Sequence, residues 1–298
     1  MRRILNKIKK VFRQFYLYLF IHKFPYFFRI SSFPYLSGDT LRKLSDHRFD
    51  ETKSMDPEKV KTNDFVFVKS DRLEFYFKNI HNNISYPYNL ISHNSDVNIN
   101  EETALKADGK ILKWYAQNLV VPETNNIKII PIGLENKRFL NNGLISHFTS
   151  YQNTKKSDYI LSSFNKRNSE RINLDNLVQR NEIITSKIFK DHKDYIKNLS
   201  KFKFNLCPKG NGVDTHRLWE SFMVDTIPIV KNHTYIENLI KNEIPLFVVN
   251  EWEEIMNVDK NELDAIYEKL IDKKKKINLN NVDYLSLIHI SEPTRLHG

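Results

Sequence analysis

The run Lys209-Gly210-Asn211-Gly212, followed by Asp214, His216, Arg217 and Glu220, gathers residue types that bind a phosphorylated ligand. Only 7 glycines occur in the 298 residues, and two of them stand here, just ahead of a helical pattern. Glycine lets the backbone approach an anion closely, and the free N–H groups of a helix start favour negative charge. Arg217, near the start of that helix, is placed to grip a phosphate through two parallel hydrogen bonds. Glu220, about one turn further on, is placed to accept hydrogen bonds from a ribose diol. At about 100° per residue, Leu218, Trp219, Phe222 and Met223 gather on one face, with Arg217, Glu220, Ser221 and Val224 on the other. The first face is expected to pack on a sheet and the second to meet the ligand. No Gly-Lys-Ser/Thr follows, so this is not a P-loop. The same spacing also suits an ordinary turn, with Asp214 or Thr215 capping the helix.

The elements that must hold these residues are short apolar runs alternating with helical stretches. Phe65–Lys69, Tyr88–Ser92 and Ile127–Ile132 read as buried strands, with a helix at Leu73–Asn79. A second series follows at Tyr159–Ser162, Phe202–Leu206, Ile227–Val230 and Leu246–Val249. Its helices are expected at Ser169–Arg180, Tyr195–Lys201, Thr215–Met223, Tyr235–Lys241 and Asn261–Lys275. This alternation predicts an α/β fold with parallel sheets and crossover helices. A polar stretch over 141–156 marks the expected boundary between the two series.

Composition narrows the function classes. The net charge is +10, but eight of those units come from residues 1–30, where Arg2, Arg3, Lys7, Lys9, Lys10, Arg13, Lys23 and Arg29 face no acidic residue. The rest of the chain is nearly neutral, so no nucleic-acid partner is expected. The basic, aromatic leader (1–33) suits a helix lying on an anionic membrane surface, or one packed on the protein itself. Phe15–Ile21 is too short to cross a bilayer, which needs roughly 20 apolar residues. A single cysteine, Cys207, excludes an internal disulfide and suits a reducing, cytoplasmic setting. It reads as a small buried apolar residue. Leu285–Arg295 resembles the translated product of a sequencing-library adapter, so 285–298 is set apart from the fold.

The segment Cys207-Pro208-Lys209-Gly210, His216-Arg217, Trp219-Glu220 and Ile227-Pro228-Ile229-Val230 resembles the C-terminal signature of exostosin-like glycosyltransferases. Ser37–Arg42, Leu90–Asp96, Trp114–Asn118 and Ile130–Asn136 resemble the N-terminal half of bacterial and viral members, so the likeness runs over about 34–284. Asp225 departs from it, standing where the family usually has Gly. The resemblance implies a GT-B-like architecture of two Rossmann-like domains with parallel sheets facing a central cleft, 34–150 on the acceptor side and 151–284 binding a nucleotide-sugar. It also implies that Arg217 and Glu220 contact the donor diphosphate and ribose. Lys209, Gly210, Asn211, Gly212, Asp214 and His216 complete that donor set, with Arg167 and Arg171 as further phosphate contacts.

Such chemistry needs the leaving diphosphate stabilised and, in an inverting enzyme, a base for the acceptor hydroxyl. No metal or other cofactor is expected, since side chains and a helix start meet the phosphate charge in this fold and no Asp-x-Asp pair is in evidence. Asp39, His93 and Asp96 are the candidate bases, with Asn94 and Asn136 on the acceptor side. Each base has a plainer alternative: Asp39 as a helix cap, Asp96 in an Asx-turn, His93 as a satisfied buried imidazole. Two rivals stay open: a membrane-surface binding protein without catalysis, and another nucleotide-dependent transferase.

Overall fold

The computed structural model describes residues 2–17, 19, 29–179 and 181–277. The adapter-like segment 285–298 and most of 18–28 in the leader lie outside them. Helix α1 (Arg2–Leu17) precedes α2 (Gly38–Leu44), and then an alternation begins: β1 (His47–Phe49), β2 (Phe65–Lys69), α3 (Leu73–Asn79), β3 (Tyr88–His93), α4 (Glu101–Ala104), β4 (Ile111–Ala116) and β5 (Ile127–Ile129). These five strands form one all-parallel sheet in sequential order. Val66, Phe67 and Val68 are fully buried, as expected of a parallel strand covered on both faces.

A short helix, α5 (Ser146–Thr149), lies in the predicted boundary stretch and buries Phe148 completely. Beyond it come β6 (Asp158–Ser162), α6 (Ser169–Val178), β7 (Ile184–Ser186), α7 (His192–Leu199), β8 (Phe202–Leu206), α8 (His216–Phe222), β9 (Ile227–Lys231), α9 (Thr234–Lys241), β10 (Phe247–Val249) and α10 (Lys260–Lys275). Their sheet is also all parallel, in the order β10-β9-β8-β6-β7. The strand order therefore reverses between β6 and β8. In open α/β sheets the loops beyond such a reversal diverge and leave a crevice for a ligand.

The four N-terminal segments that carry the family resemblance converge at the C-terminal edge of the first sheet. The Asp39 N–H donates to Asn136 Oδ1 (2.7 Å), Asn136 Nδ2 to Asn94 Oδ1 (2.8 Å), and Asn94 Nδ2 to Asp39 Oδ1 (3.4 Å). Gly38 is required there, because a Cβ would stand 1.8 Å from Asn94 Oδ1. Between the two halves, the Asn238 side chain bonds the backbone of Val121 and Glu123, and Asn242 Nδ2 reaches the Glu123 carboxylate. Buried apolar residues of both sheets belong to one connected cluster.

Candidate functional site

A cavity of about 500 Å³ opens at the β6/β8 reversal. Ser163, Phe164 and Asn165 line it after β6, and Thr215, His216, Arg217 and Glu220 after β8. Lys190, His192 and Tyr195 close another side, with Asn141 and Asn142 from the stretch between the sheets. The Arg217 Nε donates to the Ser163 carbonyl (3.0 Å), and its guanidinium stands 5.9 Å from the Phe164 ring centre. Its two terminal nitrogens have no hydrogen-bond partner among the described residues, so a doubly bonding fork remains for an anion.

Glu220 is buried, with Oε1 accepting from His192 Nε2 at 3.1 Å. Burial pushes its carboxyl up, but the His192 hydrogen bond and charge, with His216 and Arg217, more than offset that and hold it below the ordinary carboxylate range. A carboxylate with one oxygen tied keeps the other for a ligand hydroxyl. The sequence gives no spacing that joins His192 to Glu220.

Several predicted site residues do other work. Helix α8 is buried almost all round: Ser221 is fully buried and Val224 nearly so, which corrects the expectation that their face meets a ligand. The Ser221 hydroxyl accepts from Asn205 and donates to the Arg217 carbonyl. Asp214 does not bind a donor either. Its carboxylate accepts from Trp219 Nε1 (2.8 Å), the Ile132 N–H (2.7 Å) and the Tyr235 hydroxyl, and burial still raises its pKa. Nor does it cap α8, which begins after Thr215 with no side-chain cap.

The glycine loop folds on itself. Gly210 N–H donates to the Gly212 carbonyl (3.0 Å), and a Cβ on Gly212 would stand 2.7 Å from the Asn118 amide of the first half. Gly212 therefore serves close packing between halves, while Lys209 faces a separate cavity of about 510 Å³ beyond β8 and β9 that also takes in Cys207, His233 and Trp252. Arg171 is another correction: its guanidinium bonds the carbonyls of Asn165, Pro208 and Lys209, bracing the loop, and burial with the neighbouring Arg217 charge lowers it to about 10. Arg167 is exposed beside the cavity mouth residue Asn165. His216 lines the cavity and donates from Nδ1 to the Gly133 carbonyl (2.7 Å). Asn211 Nδ2 reaches across to Asp96 Oδ2 at 3.2 Å. Cys207 is buried and its thiol is pushed up to about 12 by that burial, so it is inert as a nucleophile. Asp225, at φ 55, occupies the left-handed region that glycine favours, and Lys274 anchors its carboxylate at 2.6 Å.

Of the candidate bases, two are ruled out by their surroundings. His93 is buried with both ring nitrogens used: Nδ1 accepts from the Asn94 N–H (2.7 Å) and Nε2 donates to the Pro131 carbonyl (3.1 Å). Asp39 is buried in an ion cluster with Arg29 and Arg138, and Ser37, not Asp39, caps α2. Asn94 and Asn136 bond each other and Asp39, so they are framework residues here. Asp96 is exposed on the loop after β3, at the seam with the glycine loop. Among the described residues no three or more His, Cys, Asp or Glu side chains are grouped to hold a metal ion.

The His93 environment has a measurable consequence. Burial depresses its pKa to about 4, below the ordinary 6.5 of the unfolded chain, so between those values the unfolded chain binds a proton that the folded imidazole refuses. Stability therefore falls as pH drops through that window, by about 3 kcal/mol from this group, and is flat above it. Urea midpoints at about pH 7 and about pH 4.5 should separate widely for the wild type and less for His93→Asn. Equal separations would remove His93 as the cause.

No protein-family model matches the chain, and no curated protein matches it. The chemistry of the cavity thus rests on its own residues: an unpartnered guanidinium fork, a half-tied carboxylate and the aromatic rings of Phe164, Phe189 and Tyr195. Together they suit a ligand with an anionic group, vicinal hydroxyls and a flat ring.

Proposed function

We propose that this chain is a glycosyltransferase with a GT-B-like division of labour, moving a sugar from a nucleoside-diphosphate sugar to a glycan or glycoconjugate. The observation that carries the reading is that Arg217 and Glu220, singled out by type and spacing, line one cavity at the point where the second sheet reverses. Arg217 holds the diphosphate and neutralises charge as it leaves, in the role a cation plays elsewhere. Glu220 receives the ribose hydroxyls, and His216 lies beside them. Asp96, exposed where the other two candidates are buried, is the base this reading assigns. A panel of nucleotide-sugars tested by thermal shift on the full chain should give a clear rise with one nucleotide class. At about 100 times its dissociation constant a ligand adds roughly 2.7 kcal/mol. No shift with any member of the panel counts against the reading.

No helix among the described residues is long and apolar enough to cross a membrane. We place the enzyme at the cytoplasmic face of a membrane, held peripherally by α1. Leu5, Ile8, Val11, Phe12 and Phe15 are all at least half exposed and fall within an arc of about 120°. Lys9, Lys10 and Arg13 lie on the opposite side, exposed to meet anionic headgroups. Flotation with phosphatidylglycerol vesicles should carry the wild type but not the Phe12→Asp/Phe15→Asp double variant. Equal flotation of both proteins, or no preference over phosphatidylcholine, would sink the anchor.

A further inference from the structure

Behind Glu220 stands a second imidazole that the reading above leaves unused. His192 opens α7, and its Nδ1 lies 3.0 Å from Nδ1 of His147 in α5. The rings are 5.3 Å apart, with Phe148 edge-on to His192 at 5.5 Å and Tyr195 at 5.9 Å. Three elements thus bring a carboxylate and two imidazoles into one line: Glu220 of α8, His192 of α7 and His147 of α5.

Proton counting restricts this line sharply. Glu220 as a carboxylate only accepts, so His192 Nε2 must carry hydrogen. The two Nδ1 atoms are alike, and at 3.0 Å only one hydrogen fits between them. With both rings neutral, His147 Nδ1–H donates and His192 Nδ1 accepts. One more proton, taken at His147 Nε2, can pass its charge inward when the shared hydrogen crosses to His192 Nδ1. The result is an imidazolium against Glu220 and a neutral His147. A second added proton would set two N–H groups against each other. The pair therefore carries at most one positive charge.

The groups around it are mixed. Asp191 favours charge on His147 and Lys193 opposes it, while His216 and Arg217 face Glu220 from α8, and Lys190 is paired with Asp191 at 3.5 Å. Burial and the His192 neighbour lower the His147 pKa.

We propose that His147 is a positioning residue for the cavity, acting through His192 on Glu220, and that the proton the two rings share couples ligand affinity to pH. This rests on the cavity binding a nucleotide-sugar. A positive charge gained on His192, which lines the same cavity as Arg217, strengthens the hold on a diphosphate, so affinity rises as pH falls. Without His147, a hydrogen on His192 Nδ1 has no imidazole acceptor opposite it.

The test uses the full chain with UDP-glucose and GDP-mannose, whose diphosphates keep their charge across the window. Wild-type affinity should rise roughly fivefold from about pH 7 to about pH 5, since the His147 ring takes up its proton below the ordinary range. In His147→Phe, which fills the ring space without the nitrogen, that rise should vanish or move to lower pH. Superimposable profiles for the two proteins would overturn the proposal. A ¹⁵N titration of the histidine rings of the wild type decides the pair without any ligand: one proton taken up jointly by His147 and His192 supports it, and two independent titrations refute it. If neither nucleotide-sugar binds at any pH, the cavity reading fails, and the ring titration alone still judges the shared proton.

Discussion

Replacing Arg217 by Ala should weaken binding of a nucleoside-diphosphate sugar about 100-fold and leave the fold nearly as stable as before. The side chain has one hydrogen bond to the protein, from Nε to the Ser163 carbonyl, and rests on Phe164 at the cavity wall. Its removal therefore disturbs little packing. Lost with it is the fork that meets the diphosphate, and hydrogen bonds between charged groups are each worth roughly 1.5–3 kcal/mol. At about 1.4 kcal/mol per factor of ten, two such bonds at the lower end of that range account for the expected loss. Arg217→Lys keeps the charge without the planar fork and should fall between wild type and Ala. Calorimetric titration measures all three. An Arg217→Ala variant that binds as tightly as the wild type would place the diphosphate elsewhere.

Asp214→Ala should behave in the opposite way, with a stability loss of about 3 kcal/mol. The change strands the indole N–H of Trp219, the backbone N–H of Ile132 and the Tyr235 hydroxyl inside the protein. Each buried donor left unsatisfied costs roughly 1–3 kcal/mol, partly offset by no longer burying a carboxylate. Trp219 is fully buried and Ile132 belongs to the other half of the chain, so one residue ties the core of α8 to the first sheet's edge. Denaturant unfolding checks the size of the loss, and Asp214→Asn should recover part of it. A variant with wild-type stability but no nucleotide binding would return Asp214 to the ligand site.

These two residues show how the sequence can be read and where it misleads. Arg217 and Asp214 stand in the same motif, both polar and both near a helix start. Spacing put them in one donor site. What separates them is the other half of the chain, since Asp214 is claimed by the Ile132 backbone more than eighty positions away. The same holds for His93 and Asp39. Their type suits a base, yet both are buried, with a carbonyl from Pro131 and guanidinium groups from Arg29 and Arg138 as their partners. Long-range partners leave no periodic trace, so a local pattern cannot reveal them.

The sheets were more legible. β2, β3, β8 and β9 are dense in β-branched and aromatic residues because both faces are covered, and their alternation with helices is visible in the chain. Strands β1 and β7 have only three residues each and mix in polar ones, so their pattern is too short to register. Strand β4 (ILKWYA) interrupts its apolar run with Lys113, although Trp114–Asn118 carries part of the resemblance. Strand order, which places the reversal between β6 and β8, is a tertiary property. Without it the cavity beside Arg217 could not be located.

The most direct test of the central claim is release of nucleoside diphosphate by the full chain incubated with UDP- and GDP-sugars without acceptor. A glycosyltransferase should turn over one donor class slowly by transfer to water, and Arg217→Ala should abolish that release. Release that is undiminished in Arg217→Ala, or none from any donor that binds, would contradict the account.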